Sequence, residues 1–216
     1  MQLKNKENRI GMCESVLTDK QFNLVLGGTL FWGFFLNFLF VVFFQDLFLE
    51  MNPIVLIVGY LIFSFIGIII ATSQSAVLSF IGYNMVSIPS GAVLSVALVD
   101  YGAGTITKAL LIVCFVTVIM FIASTMFPDK FLSIGTPMFI ALVSALVLEI
   151  ITMLLGFNTT IFDWIFVLIF SGYIGYDFAK AQAYDKTINN AVDSALDLYL
   201  DLINLFLRIL SLSKDD

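Results

Sequence analysis

The sequence predicts an all-α integral membrane protein, a seven-transmembrane helix bundle with the last helix central. Three observations carry that reading. Of 216 residues, 60% are hydrophobic, and the mean hydropathy is +1.04. Only 12% are charged, about half the ~25% usual in soluble domains. The third is the stretch Ile188–Leu212, INNAVDSALDLYLDLINLFLRILSL, which carries Asp193, Asp197, Asp201, Asn204 and Arg208. It is long enough to span, since a crossing needs ~20 residues. On a helix those five polar positions fall within an arc of about 80°. An acid near the bilayer centre costs at least ~2.5 kcal/mol, so a lipid-facing helix could not keep the stripe. The helix belongs inside a bundle, its stripe turned to protein or water.

The other spans follow in order. Met1 to Lys20 is polar and of mixed charge, too long and polar before the first apolar run for a cleaved signal peptide; it reads as a cytosolic tail. The domain plan is therefore a tail over 1–21, a transmembrane domain over 22–212 and a short tail over 213–216. Phe22–Phe44 is the first span, with Trp32 and Asn37 inside and Gly27 and Gly28 suited to close helix contact. A loop, Gln45–Pro53, leads to the second, Ile54–Thr72, which has no charge. A short turn leads to Ala76–Leu98, where Pro89 and Gly91 should kink or break the helix, with Ser87 and Ser90 at hand for freed backbone groups. After the loop Asp100–Thr107 comes Lys108–Met126. Pro128, Asp129 and Lys130 mark a stop and turn. The fifth span, Gly135–Leu155, contains Glu149; the sixth runs from Ile165 to about Tyr184. With the N-terminus inside, seven basic residues lie on the cytosolic side (Lys4, Lys6, Arg9, Lys20, Lys130, Lys180, Lys186) and three outside (Lys108, Arg208, Lys214). The positive-inside rule thus sets the N-terminus in the cytosol and the C-terminus out.

Composition also excludes. A formal charge of −6 without a basic patch argues against nucleic acid as a partner. The chain has no His, which removes Ser–His proteolysis, HExxH zinc sites and His-ligated haem. Any pH response must then come from carboxylates. Cys13 and Cys114 form no disulfide framework, and Cys114, in an apolar run, reads as core.

The stripe has a partner upstream. In SGYIGYDFAKAQAYDK, Asp177 lies within a mostly apolar run. A helical hairpin turning near Lys186 to Asn190 would bring Asp177 and Asp201 to one membrane depth. Two carboxylates held together cannot both ionise cheaply, so the pair should keep a proton between them. They are also hard oxygen ligands suited to Ca²⁺. Asp193 and Asp197 read equally as a solvated helix start and as an ion vestibule. Glu149 divides between a bundle-facing acid and one reaching the outer interface. Asn204 and Arg208 should hydrogen-bond within the bundle, unless Arg208 snorkels outward.

Ser171–Gln182, SGYIGYDFAKAQ, followed by Ala195–Leu210, ALDLYLDLINLFLRIL, resembles the Bax inhibitor-1 family, also called the transmembrane Bax inhibitor motif family. The most specific features are Tyr176–Asp177 and the run from Leu198 to Phe206. The resemblance implies a last helix wrapped by the other six, a pH-sensitive Ca²⁺ leak, and Asp177 and Asp201 as the family's paired aspartates, sensing protons on the ion path. Bacterial relatives can carry a basic residue near the cytosolic end of the second helix that pairs with those aspartates. Here that end reads IIIATSQSAV, so the latch is absent there, and Lys180 is the residue placed to replace it electrostatically.

The expected function is therefore a Ca²⁺ leak channel or transporter in a bacterial plasma membrane, with no cofactor beyond the ion. It is not an enzyme. Intramembrane aspartyl proteolysis also uses two aspartates, but its Gly-Leu-Gly-Asp motif is missing because Asp201 sits in LYLD. A retinal receptor needs a Lys in the seventh helix, and there is none. Two other readings stay open. The protein could bind and modulate another membrane protein, a protease or a channel, with Gly27/Gly28 and Gly172/Gly175 as small-residue faces. It could also exchange protons for cations. For the pair itself, the alternative to a proton or ion role is a structural contact between Asp177 and Asp201 that pins two helices.

Overall fold

The computed structural model describes residues 16–213. The expected tail lies mostly outside them, as does Cys13. Among the described residues the chain is entirely helical: α1 (Asp19–Phe43), α2 (Gln45–Leu49), α3 (Pro53–Ala71), α4 (Ala76–Ala97), α5 (Ala103–Met126), α6 (Pro128–Ser133), α7 (Gly135–Leu154), α8 (Thr160–Ala183) and α9 (Ile188–Leu212). Six of these, α1, α3, α4, α5, α7 and α8, are long and apolar enough to cross a membrane. The seventh long helix, α9, has 25 residues but four charges. Leu198, Tyr199 and Leu205 on it are fully buried. By contrast α7 turns most of its large side chains, such as Phe139, Ile140 and Leu154, outward, as a lipid-contacting helix does.

The boundaries follow local chemistry. The first helix starts at Asp19 rather than Phe22, because Thr18 and Gln21 form a capping box that satisfies its orphan N–H groups. Asn52 caps α3, whose first residue is Pro53. Gln45–Leu49 and Pro128–Ser133 are short helices where the sequence suggested loops. Pro128 at the first position is preorganised for a helix, so it restarts the chain as well as stopping α5. The fourth span begins at Ala103, five residues before Lys108, because Gly102 gives the extended entry. At the end of α7, Gly156 takes φ +77°. The bonds Phe157 N–H to Thr152 O and Gly156 N–H to Met153 O complete a Schellman cap.

The described residues fall into two compact units. One holds the chain up to Ala97 together with Tyr184–Leu196; the other holds Leu98–Ala183 and Asp197 onward. In the first, α3 and α4 form an antiparallel pair across the turn at 72–75. Gly67 and Gly82 approach so closely that a Cβ on either would collide with the other's backbone. Trp32 donates to Asn84 at 2.9 Å, tying α1 to α4. The Leu17 N–H bonds the Lys186 carbonyl, and the Lys186 ammonium sits 4.3 Å above the Phe22 ring. Burial there holds that ammonium below its ordinary range, and Asp19 opposes the shift. In the second unit, α6 and α7 pack on α8: Gly135 lies against Tyr176, Gly172 against Met138 and Gly175 against Phe131.

Several expectations are corrected. A Cβ at Gly27 or Gly28 would meet open space, so close helix contact belongs to Gly67 and Gly82 instead. Gly172 and Gly175 are packed on by neighbouring side chains and offer no lipid-facing small-residue surface. Cys114 is exposed on α5 rather than in the core; an apolar run in a membrane faces lipid as readily as protein. Pro89 does not break α4, which continues to Ala97. Ser90 donates to Val86 O, but the Ser87 hydroxyl takes no part.

Candidate functional site

The polar stripe of α9 is divided among three clusters. Thr187 caps the helix by accepting from the Asn190 N–H at 3.1 Å. The connection is therefore 184–187, somewhat before the turn expected near Lys186–Asn190. In the first unit, the Ser79 hydroxyl lies 2.8 Å from Asn189 Oδ1 and 2.9 Å from Ala71 O, within reach to donate to either. Asn189 in turn donates to Asp193 at 3.2 Å. Asp193 is thus held by its own helix start.

The second cluster lies between α8 and the later part of α9. The carboxyls of Asp177 and Asp201 face each other within hydrogen-bonding reach, and both residues are only 7% exposed. A bond between two carboxyl groups requires a proton on one of them. One oxygen of Asp201, Oδ2, is buried with no hydrogen-bond partner. One turn beyond Asp177 on α8, Lys180 lies 3.4 Å from Asp177 Oδ1 and 2.7 Å from Asp197 Oδ2. Asp197 is partly exposed, with 39% of its side chain accessible, so this ion pair is open on one side while the acid pair is buried. Tyr176 and Tyr173 stand beside the cluster, Lys180 lying 5.8 Å from the Tyr176 ring centre.

The third cluster lies further along α9. Arg208 makes a fork with Glu149 of α7, Nη1 to Oε1 at 2.5 Å and Nη2 to Oε2 at 2.9 Å. The same Nη1 donates to Asp163 of α8 at 2.7 Å, and Ser211 donates to the other Asp163 oxygen at 2.9 Å. The guanidinium also lies 4.1 Å from the Phe166 ring centre. Glu149 is therefore a bundle-facing acid, and Arg208 bonds within the protein. Asn204, by contrast, donates only to Leu200 O of its own helix.

The sequence reading missed Asp163, Ser211, Ser79 and Asn189. A signal existed for Asp163. It precedes Asp177 by fourteen residues, close to four helical turns, so the two share a face of α8. Arg208 follows Asp201 by seven, two turns on α9. The pairing that brings Asp177 to Asp201 therefore brings Asp163 toward Arg208.

Among the described residues no group of three or more carboxylates and thiols lies close enough to hold a metal ion. Asp177 and Asp201 are two, enough to contact a passing cation but short of the 6–8 oxygens of a tight Ca²⁺ site.

Fold and site together define a multi-span helical membrane protein with paired acids and ion pairs on its last two helices. The chain belongs to the family described as "Inhibitor of apoptosis-promoting Bax1" (Bax1-I), which it matches over residues 13–215. That match extends the resemblance from the last two helices to almost the whole chain. No curated protein matches it.

Proposed function

We propose that the protein is a pH-sensitive Ca²⁺ leak channel or transporter, with Asp177 and Asp201 as proton sensor and ion-path ligands. The observation that carries this reading is the buried pair of carboxyls, Asp177 of α8 and Asp201 of α9, that face each other within hydrogen-bonding reach. Ionisable groups inside a span are costly, and they mark ion and proton paths more often than they serve stability. In the shut form the two acids share a proton. Losing it leaves two like charges in a site of low polarity, and their repulsion drives α8 from α9. Cations then pass along the acidic side of α9, with Lys180 and Asp197 at the wetter end. Proton loss opens the path, so flux rises with pH. The membrane is a bacterial plasma membrane with the N-terminus cytosolic and the C-terminus outside, as the basic residues suggest.

The test is Ca²⁺ entry into liposomes between pH ~5 and ~8, the range of carboxylates displaced by burial and by a like charge. Parent flux should rise across that range. Asp177→Asn and Asp201→Asn should each abolish the slope, and a variant that keeps it would remove the pair as sensor. Proton flux coupled to cation movement would indicate exchange instead of leak.

A second reading has one observation in its favour. Gly27 and Gly28 are exposed on α1 with open space beside them, the kind of surface on which another membrane helix packs. Liposomes that pass no Ca²⁺ at any pH would favour this partner-modulating role.

A further inference from the structure

Lys180 points away from the nearest end of its helix. It stands three residues before the close of α8 at Ala183, and a lysine so near the end of a span ordinarily extends its ammonium past that end to water. Here the ammonium is turned back along the helix, 3.4 Å from Asp177 Oδ1 and 2.7 Å from Asp197 Oδ2, with 24% of the side chain accessible. A lysine stem is long and flexible, so one fixed inward setting calls for a support.

One turn back is Tyr176. Helical side chains lean toward the N-terminus, so residue 176 lies beneath the stem of residue 180. The Lys180 ammonium stands 5.8 Å from the Tyr176 ring centre, within cation–π range. The ring in turn is seated on Gly135, the first residue of α7. A Cβ at position 135 would lie 2.5 Å from Cε2, 2.6 Å from Cζ and 2.8 Å from the hydroxyl oxygen of Tyr176. Phe131 on Gly175 and Met138 on Gly172 pack the same side of α8. At about 100° per residue, Gly172, Gly175 and Tyr176 share one side of the helix, Lys180 lies about 40° beyond Tyr176, and Asp177 about 60° beyond that. Tyr176 therefore connects the side packed by α6 and α7 to the side that carries the acid.

We propose that Tyr176 is the positioning residue for the ammonium of this cluster: seated on Gly135, its ring keeps Lys180 turned inward between Asp177 and Asp197, where the ammonium competes with passing cations for both carboxylates. The competition rests on the ion-path reading above; the seating of the ring and of the lysine does not. Gly135 then does more than allow close packing. The atoms that a methyl there would meet are the outer end of a side chain rather than backbone, so the ring is what yields, and the ammonium loses its support.

Ca²⁺ entry into liposomes, measured against Ca²⁺ concentration at the alkaline end of the range above, where the acids are ionised, reads the competition. Lys180→Met should lower the half-maximal Ca²⁺ concentration severalfold, and Tyr176→Leu and Gly135→Ala should each lower it too. Tyr176→Phe, which keeps the ring, should restore the parental value. In the Lys180→Met background Tyr176→Leu should add nothing, because its effect runs through the lysine. An unchanged value in Lys180→Met or in Tyr176→Leu, or a Tyr176→Leu effect that persists undiminished without Lys180, overturns the proposal. If Gly135→Ala does not fold, the Tyr176 variants decide. A second measurement separates this outcome from failure of the ion path itself. In ¹³C-lysine protein in nanodiscs, with the Lys180 signal assigned by its loss in Lys180→Arg, the ε-methylene protons should be shifted upfield by the ring in the parent and in Tyr176→Phe, and return to the ordinary lysine position in Tyr176→Leu. A parent that passes no Ca²⁺ removes the leak reading and leaves this shift to decide the positioning; its absence from the parent overturns it.

Discussion

The two clusters that join α8 to the later part of α9 use the same residue types and opposite electrostatics. Around Arg208 one cation faces Glu149 and Asp163, and every short contact is charge-assisted. Around Asp177 and Asp201 one lysine faces three acids, and it spends its shortest contact on Asp197, the most exposed of them. The first cluster is satisfied as it stands. The second is satisfied only while a proton is present. On the proposed function, one site of this helix pair is built to hold and the other to change with pH. The arginine explains part of the difference, because its planar fork fits a carboxylate with two parallel bonds, whereas the lysine is a single point charge.

The sharpest way to break that comparison is Arg208→Ala. It strands one buried acid, Asp163, and one largely covered, Glu149, and removing one partner of a buried ion pair costs about 3–5 kcal/mol. The thermal midpoint of the purified protein should fall by more than for any other single change in either cluster, and Arg208→Lys should recover only part of the loss. An Arg208→Ala protein of parental stability would mean that the cluster is not a clamp. Glu149→Gln comes next. It removes the charge but leaves an amide oxygen, so the cost should be nearer ~1.5–3 kcal/mol, the value of a hydrogen bond to a charged group. Asp163→Asn should cost less than Glu149→Gln, because Asp163 gives Arg208 one bond and not two.

How much of this could be read from the sequence depends on which force set each feature. The spans were legible because a continuous apolar run in a membrane protein has one use. The last helix was placed from Ile188 to Leu212, as it is, whereas the start at Asp19 was missed by three residues because it depends on the capping side chains of Thr18 and Gln21. The acid pair was legible from the stripe on α9 and one aspartate in an apolar run. Asp163 was not, because its position near the start of α8 made it look like loop. Its role appears only when Arg208 is treated as a group needing partners on two helices. Which glycines matter was not legible either. Gly27 and Gly28 look like a contact motif and Gly67 does not, yet contact depends on what stands opposite, and a single chain of letters does not display that.

Lys180→Met tests the second cluster from its wetter side. The pair with Asp197 is partly exposed, and exposed ion pairs are worth about 0–1 kcal/mol. The thermal midpoint should therefore move far less than in Arg208→Ala, although Lys180 holds the shorter of its two contacts at the same 2.7 Å as Arg208 to Asp163. A loss as large as that of the arginine variant would show that the two clusters clamp alike, and the division between a fixed site and a changeable one would fail.

The smallest expected effect on stability is the most informative about function. In Asp201→Asn the amide donates to Asp177 the hydrogen bond that a proton supplies in the parent. The pair keeps its bond, and it no longer needs a proton to do so. Stability should stay within about 0.5 kcal/mol of the parent, the range of substitutions that remove no contact, and it should no longer vary with pH through this pair. The sign follows from the sharing. In the parent, the bonded form is favoured while the proton is present and is lost as pH rises and the proton leaves. The parent should therefore unfold more easily toward high pH, whereas the variant should give a flatter profile, which thermal unfolding at a series of pH values would reveal. If the parent's profile is already flat and Asp201→Asn lowers stability at every pH, the two carboxyls are a fixed structural contact like that of Arg208. The second cluster would then have no means of sensing protons.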